Sequence, residues 1–219
     1  MKINAVIFGA TGMVGRGVLI EALDHPDVES VLVIGRRACD MSHPKMTEIL
    51  HDDFLDYSGI EDCLVGYNAC FFCLGITSRG MGESLYRRIT HDYAVAAAEV
   101  LNRMNPDMSF CFLSGAGADE TLKSTMMWAR VKGETENSLR DIGFGRYFVF
   151  RPAIIQPMRG VKPSFAFYRY TAPVFPLLKL LFRPWITTTV EVGRAMINAV
   201  LLGYKKQTLE NRDIIKLSK

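Results

Sequence analysis

Apolar and amphipathic stretches alternate along most of the chain. Strands are predicted from apolar runs near residues 3–8, 31–35, 47–50, 69–74, 109–114 and 146–150. Helices are predicted from apolar stripes formed by Leu85, Ile89, Tyr93, Ala96 and Val100, by Met127, Val131 and Leu139, and by Val192, Met196 and Val200 within 191–202. A last short strand is expected over 213–217. Such alternation is typical of an α/β protein with a doubly wound parallel sheet and helices on both faces.

A glycine-rich turn follows the first predicted strand and opens the first helix. Its sequence is Gly9-Ala10-Thr11-Gly12-Met13-Val14-Gly15. The first glycine allows a tight turn, the second lets the backbone approach a pyrophosphate, and the third lets the helix lie close to the sheet. The positive end of the helix then faces the phosphates. This context predicts a Rossmann-type dinucleotide site, with a purely structural turn as the alternative.

The end of the second strand favours one dinucleotide over the other. Arg36 and Arg37 follow the apolar run 31–35, and no Asp or Glu stands there. In this fold, an acidic residue at that point accepts from a free ribose 2′-OH, whereas arginine accommodates a 2′-phosphate. NADP(H) is therefore the preferred cofactor, with NAD(H) still possible. The alternative is that both arginines are solvated surface charges.

A segment at about 157–186 interrupts the alternation because it is rich in proline and aromatic residues. Its expected role is to cap a substrate cleft at the carboxyl ends of the strands. Contact with another subunit or with a membrane surface are the alternatives. Its most apolar part, 174–182, is far shorter than the ~20 residues needed to cross a bilayer. Residues 1–219 are thus expected to form one Rossmann domain with a small C-terminal cap segment.

Composition narrows the possible functions. The chain has 219 residues, of which 49% are hydrophobic and 22% charged, and these values are ordinary for a globular domain. A net charge of +3 is too small to indicate a nucleic-acid surface. Five cysteines, mostly in apolar runs, and a first strand that leaves no room for a signal peptide lead us to expect a cytoplasmic protein. The four histidines lack metal-ligand spacing, so no metal site is predicted.

Several segments together resemble the short-chain dehydrogenase/reductase superfamily, in particular its atypical, Tat-interacting-protein-like oxidoreductases. The segments that carry the resemblance are 9–15, 34–37, 73–79, 112–119, 131–134 and 150–152. The resemblance implies that Asp53 and Phe54 lie beside the adenine. It also implies that Cys73, Leu74 and Gly75 pass beneath the ribose and nicotinamide. Finally, it implies that Pro152, Ala153 and Ile154 line the nicotinamide end.

The catalytic positions depart from that family. The resemblance implies a serine after the fifth strand and a Tyr-x-x-x-Lys unit on the next helix, in which tyrosine transfers the proton and lysine lowers its pKa and holds the ribose. Here Ser114 and Lys132 match, but Trp128 stands where the tyrosine is expected. Trp128 and Lys132, four residues apart, share a helix face. Indole N–H can donate a hydrogen bond but lacks usable acidity near neutral pH.

Three functions therefore remain open. The first is an NADP(H)-dependent oxidoreductase acting on a small, apolar or planar carbonyl or alcohol, with another acid such as Tyr86, Tyr93, Tyr168 or Tyr170. The second is a catalytically weak or inactive protein that senses NADP(H) as a regulator or scaffold. The third is a non-redox lyase or isomerase. An oligomer is possible in each case. Trp128 shifts weight from the first function to the second.

Overall fold

The computed structural model describes residues 1–158, 161 and 183–219. The strands in this part of the chain are β1 (Ile3–Phe8), β2 (Val28–Gly35), β3 (Met46–Leu50), β4 (Ala69–Phe72), β5 (Ser109–Leu113), β6 (Arg146–Arg151), β7 (Ile154–Gln156), β8 (Ile186–Thr188) and β9 (Thr208–Glu210). Seven of them form one parallel sheet in the order β3-β2-β1-β4-β5-β6-β9, and β7 pairs with β8. The predicted doubly wound α/β fold is confirmed.

Helices cover both faces of the sheet. They are α1 (Met13–Asp24), α2 (Glu83–Arg87), α3 (Tyr93–Met104), α4 (Met127–Asp141), α5 (Thr189–Leu202) and α6 (Asn211–Leu217). A π-helical turn, Arg88–Asp92, joins α2 to α3, and 3₁₀ turns occur at Glu61–Leu64 and Arg183–Trp185. The predicted closing helix is confirmed as α5. It starts earlier than its apolar stripe because Thr188 and Glu191 form a capping box at its N-terminus.

The strand expected over 213–217 is wrong, because those residues belong to helix α6. The last strand, β9, lies immediately before that helix and pairs with β6. Asp213 lies in the first turn of α6 and accepts a hydrogen bond from the backbone N–H of Glu210 (3.3 Å). A short apolar run such as the one around Ile214 does not by itself distinguish a strand from one buried helix turn.

The buried face of the helical segment around α3 is rotated relative to the predicted stripe. Its buried members are Tyr86, Thr90, Ala94, Ala97, Ala98, Val100 and Leu101. Val100 is therefore buried as predicted, whereas Leu85 is exposed and Ile89, Tyr93 and Ala96 are only partly buried. The strand faces that it covers carry large rings, including Phe72 and Phe110. Alanines leave room for these rings, so packing volume rather than hydrophobicity alone sets the rotation of the helix.

The core forms two layers, one on each side of the sheet. Alternate residues of β1 divide between them: Ile7 packs toward α1 and α5, and Phe8 packs toward α3 and α4. Cys70 and Cys73 likewise belong to opposite layers, so they do not form a redox pair, and burial raises the pKa of the Cys73 thiol to about 12. All five cysteines are free thiols.

Helices α1 and α5 pack unusually close together. A Cβ placed on Gly17 of α1 would lie 2.4 Å from the Cβ of Thr189, and one placed on Gly193 of α5 would lie 2.9 Å from the Glu21 side chain. Both glycines therefore remove a side chain where the two helices meet. The C-terminal helix is thereby held against the helix that follows the glycine-rich turn.

The contact between α4 and the loop before it gives a first prediction. A Cβ on Gly133 would lie 1.9 Å from the carbonyl oxygen of Asp119. Gly133→Ala should gain about 1 kcal/mol of helix propensity and lose more to the backbone clash, giving a net destabilisation of about 1–3 kcal/mol. Urea unfolding measures it. The control is Gly59→Ala, whose added Cβ meets nothing within 4 Å. Equal midpoints for the two variants would contradict the clash.

Candidate dinucleotide-binding site

The glycine-rich turn connects β1 to α1 and crosses the extension of β4. Gly9 has φ +77°, and a Cβ there would lie 2.6 Å from the backbone nitrogen of Leu74. Glycine is required at this position both for the left-handed backbone and for the close approach. A Cβ on Gly15 would lie 2.1 Å from the carbonyl oxygen of Gly9. The third glycine thus lets α1 begin directly against the turn.

Gly12 differs from the other two glycines because fewer atoms surround it. It is the N-cap residue of α1, and a Cβ there would meet only the carbonyl oxygen of Gly9, at 3.2 Å. The cap uses no side chain, and the first turn carries no acidic residue. The first N–H groups of a helix, here those of Met13, Val14 and Gly15, have no intrahelical acceptor. This end of the helix is therefore suited to bind an anion.

A cleft of about 280 Å³ opens above the turn, at the carboxyl ends of β1, β2 and β4. Of the predicted cofactor residues, those on its wall are Gly9, Thr11, Gly12, Arg36, Arg37, Phe54, Cys73, Leu74 and Gly75. Phe54 is buried and stacks on Tyr93 with ring centroids 5.5 Å apart, so it forms a rigid apolar side of the cleft. The structure therefore brings most of the predicted binding residues together.

Other predicted residues lie elsewhere. Asp53 is exposed, its carboxylate accepts from the backbone N–H of Leu55 (3.0 Å), and it is absent from the described cleft wall. Pro152 follows β6 and accepts from the N–H of Ala116 (3.0 Å). Ala153 lines a separate cavity, and Ile154 is exposed in β7. The cap segment lies largely outside the described residues, as do Tyr168 and Tyr170.

The cleft is positively charged on the β2 side. Arg36 and Arg37 are exposed on its wall, and neither guanidinium has a hydrogen-bond partner among the described residues. Sequence reasoning missed Arg16, which lines an adjoining cavity of about 330 Å³ together with Arg37. Arg16 also donates to the carbonyl of Cys39, which holds the loop after β2. The available signal was its position directly after Gly15, in the first turn of the helix that follows the glycine-rich turn.

The predicted catalytic residues lie beside the cleft, at the end of β5. The Lys132 ammonium donates to the carbonyl of Leu113 (3.2 Å) and lies 5.3 Å from the centre of the Phe112 ring. Burial lowers the pKa of Lys132 to about 8, although nearby Glu136 opposes this shift. Trp128 lies in the first turn of α4, half-buried, with its ring against Gly117. None of the predicted catalytic residues is on the described cleft wall.

Sequence reasoning also missed a buried ion pair behind these residues. Glu136 is completely buried and receives hydrogen bonds from the Ser114 hydroxyl and from the Arg151 guanidinium. Arg151 further binds Glu120 at 2.6 Å and Glu210 at 3.4 Å. The signal was the spacing of Lys132 and Glu136, which places both on one helix face. The Ser114 proton is thereby directed to Glu136 rather than into the cleft.

Of the candidate tyrosines, Tyr86 and Tyr93 lie in the described residues, and neither is on the described cleft wall. Tyr86 is buried, and burial raises its pKa. Tyr93 stacks on Phe54 at the cleft side.

No group of acidic, histidine or cysteine side chains in the described residues could hold a metal ion. Among the described helices, none has the length and apolar character required to cross a membrane.

Comparison with known proteins identifies the family. Over 162 residues the chain is 31% identical to the protein fmp52-1, mitochondrial, of Aspergillus oryzae, a match that covers 71% of this chain and 67% of that one. The chain belongs to the atypical short-chain dehydrogenase/reductase family. It is also 30% identical to the rat protein HTATIP2 over 155 residues, which span 69% of this chain and 62% of the rat protein. No model of a protein family matches it.

Solved structures support the fold of this family. The complex of MoeE5 with UDP-glucose and NAD superposes with a TM-score of 0.69 at 14% identity, over 94% of this chain and 75% of that one. A short chain dehydrogenase family protein from Francisella tularensis gives a TM-score of 0.65 at 13% identity, over 97% and 99% of the two chains. These similarities show a shared Rossmann-type architecture.

The relatives correct the expected compartment. The fmp52 proteins are named mitochondrial, and the one from Aspergillus terreus matches over 99% of both chains at 28% identity. The expectation of a cytoplasmic protein is therefore wrong as it was stated. Free buried thiols fit any reducing compartment, so the cysteine argument could not distinguish one from another.

The buried ion pair gives a second prediction. The Arg151 side chain is 13% exposed and Glu136 is 0% exposed, so Arg151→Met leaves a buried carboxylate unpaired and should destabilise the fold by about 3–5 kcal/mol. Arg194→Met breaks the exposed pair with Glu21 and should cost at most about 1 kcal/mol. Urea unfolding compares the variants. Adding Glu136→Leu to Arg151→Met should restore part of the loss, and equal effects of the two single variants would refute the prediction.

Proposed function

We propose that this protein binds NADP(H) in preference to NAD(H) and uses it to interconvert a small, apolar or planar carbonyl compound and its alcohol. The observation that carries the cofactor preference is the arginine pair at the end of β2. Both residues face the cleft, and neither has a partner in the described part of the chain. Guanidinium groups bind phosphate in a bidentate, charge-assisted manner. Arg16 adds a third cation on the same side.

The cleft has the features that a dinucleotide requires. Gly12 leaves the backbone bare at the positive end of α1, so a pyrophosphate can approach its N–H groups. Phe54 supplies an apolar wall beside β2, and Cys73, Leu74 and Gly75 line the path along β4. MoeE5, with the same fold, is described in complex with NAD. When bound, NADPH supplies a hydride from its nicotinamide.

The remaining residues orient and enclose the reacting groups. Lys132 presents a cation at the carboxyl end of β5, where it can hold a ribose hydroxyl. Ser114 is held by Glu136 and can accept, but not readily donate, a second hydrogen bond. Trp128 contributes an apolar surface one helical turn before Lys132. The third function considered above, a lyase or isomerase, has no specific support among these contacts.

A second function, sensing of NADP(H) without turnover, is favoured by two observations. Trp128 replaces the family's proton donor, and the Ser114 hydroxyl points its proton at Glu136. Such a protein would retain the whole cofactor cleft. Tight NADPH binding without carbonyl-dependent oxidation of NADPH would distinguish the sensor from the reductase.

Cofactor choice gives the third prediction. Arg36→Ala and Arg37→Ala should each weaken NADPH binding about ten-fold or more, because a charge-assisted hydrogen bond contributes roughly 1.5–3 kcal/mol. NADH affinity should change little, since NADH lacks the 2′-phosphate. Calorimetric titration of both nucleotides measures the effect, and NADH serves as the internal control. Unchanged NADPH affinity in both variants would show that these arginines are solvated surface charges.

Proton donation gives the fourth prediction. Trp128→Tyr places a phenol one helical turn before the Lys132 cation, which should lower the phenol pKa. NADPH-dependent reduction of a panel of small carbonyls should rise above the wild-type rate, with little change in NADPH affinity. Absorbance of NADPH follows the reaction. Trp128→Phe is the matched control, because it supplies a ring without the hydroxyl. Equal rates for the two variants would contradict the prediction.

A further inference from the structure

Lys132 lies at the carboxyl end of β5, the strand next to β4 in the sheet. Its amine donates to the Leu113 carbonyl, the last residue of that strand, and lies near the face of Phe112. Phe112 pairs in register with Phe72 of β4. The residues that directly follow Phe72 form one wall of the cleft. The amine is therefore one strand away from the wall, at the same level along the sheet.

The Lys132 ammonium retains unused donors. It has three N–H groups, and the Leu113 carbonyl is its one hydrogen-bond acceptor within the described residues. Two groups of β5 contact the ammonium, and neither is charged. They are the Leu113 carbonyl and the Phe112 ring. The charged group that acts on it is Glu136, one helical turn further along α4. Two N–H groups are thus left to bind a ribose and a substrate.

The carboxylate of Glu136 interacts mainly with groups other than Lys132. Arg151 of β6 neutralises it through the buried ion pair, and Ser114 donates to the same carboxylate. Glu136 therefore gives Lys132 no direct partner and holds its proton only weakly. Burial dominates, and it lowers the Lys132 pKa to about 8. An amine of this kind releases a proton near neutral pH far more readily than an exposed lysine does.

The neighbouring groups do not compete for this role. The Trp128 indole has no usable acidity, and the Ser114 proton is bonded to Glu136. The Tyr86 hydroxyl is buried with its pKa raised. Among the described residues at this end of the sheet, Lys132 is the group whose proton is both available and held at a suitable strength.

We infer that Lys132 is itself the proton donor in carbonyl reduction, replacing the tyrosine of the family pattern. The inference rests on the proposed reductase function. The carbonyl carbon gains the hydride that the nicotinamide supplies, and the π electron pair of the C=O bond moves to oxygen. A Lys132 N–H bond breaks, an O–H bond forms, and the nitrogen keeps the electron pair as a neutral amine. Solvent then returns the proton to the amine.

The experiment separates charge from acidity. Lys132→Arg keeps the positive charge but does not release its proton near neutral pH. Lys132→Met removes both the charge and the acidic proton. Trp128→Phe removes the indole N–H. Carbonyl-dependent NADPH oxidation is measured from pH 6 to pH 10, and NADPH affinity by calorimetry. The cofactor-free protein is also labelled with ¹³C at lysine Cε. The resonance missing from Lys132→Arg is then titrated by NMR, which requires no turnover.

We expect the wild-type kcat to fall as the pH rises through about 8, because the protonated amine is the active form. Lys132→Arg should lose roughly 10²-fold or more in kcat while NADPH affinity changes by less than about five-fold. Trp128→Phe should lose far less kcat than Lys132→Arg and should keep the fall in rate near pH 8, because it removes only the indole N–H. The assigned lysine resonance should titrate near pH 8, well below the ordinary value for a lysine side chain.

Opposite results would overturn the inference. They are a Lys132→Arg variant with wild-type kcat, a Trp128→Phe variant that loses as much as Lys132→Arg, or a Lys132 resonance that titrates with the exposed lysines. If only the Trp128→Tyr variant oxidises NADPH in the presence of a carbonyl, and the wild type does not, Lys132 is not the proton donor, although the site still supports reduction. NADPH binding without turnover in every variant, Trp128→Tyr included, would instead reject the proposed function itself.

Discussion

A buried carboxylate, that of Glu136, constrains the carboxyl end of the sheet. An unpaired buried charge is strongly unfavourable, so α4 can pack only where Arg151 reaches Glu136. The pair joins α4 to β6, and the Ser114 hydroxyl ties in the end of β5. Because Trp128 and Lys132 lie on the same helix, their positions follow from this contact. The chemistry proposed for Lys132 therefore depends on an ion pair that does not itself touch the cleft.

Local sequence was sufficient to predict the glycine-rich turn and the residues that meet at the cleft above it. The turn from Gly9 to Gly15 lies between a strand and a helix, and Gly9 and Gly15 each have a separate steric reason in the structure. Arg36 and Arg37 follow β2 directly, so their place at the cleft could be predicted from topology alone. Parallel strands bring their carboxyl ends to one edge, and residues just after each strand are therefore brought together.

Other features depend on contacts between distant parts of the chain. Glu136 and Arg151 read separately as ordinary charged residues, and only the packing of α4 on β6 makes them a buried pair. The residues after β9 form a helix because Ile214 enters the core of the α1 and α5 layer, which local periodicity does not reveal. The resemblance implies that Asp53 lies beside the adenine, and in the structure its carboxylate accepts from the backbone N–H of Leu55 in its own loop.

The close approach of α1 and α5 has an evolutionary consequence. The space that a methyl group would need at Gly17 is filled by Thr189, and the space at Gly193 is filled by the stem of Glu21. A larger residue on one helix is tolerated only when its counterpart on the other becomes smaller. Residue volumes at these paired positions should therefore covary among relatives, with opposite sign. Such covariation would connect the helix after the glycine-rich turn to a helix that lies more than 160 residues later in the sequence.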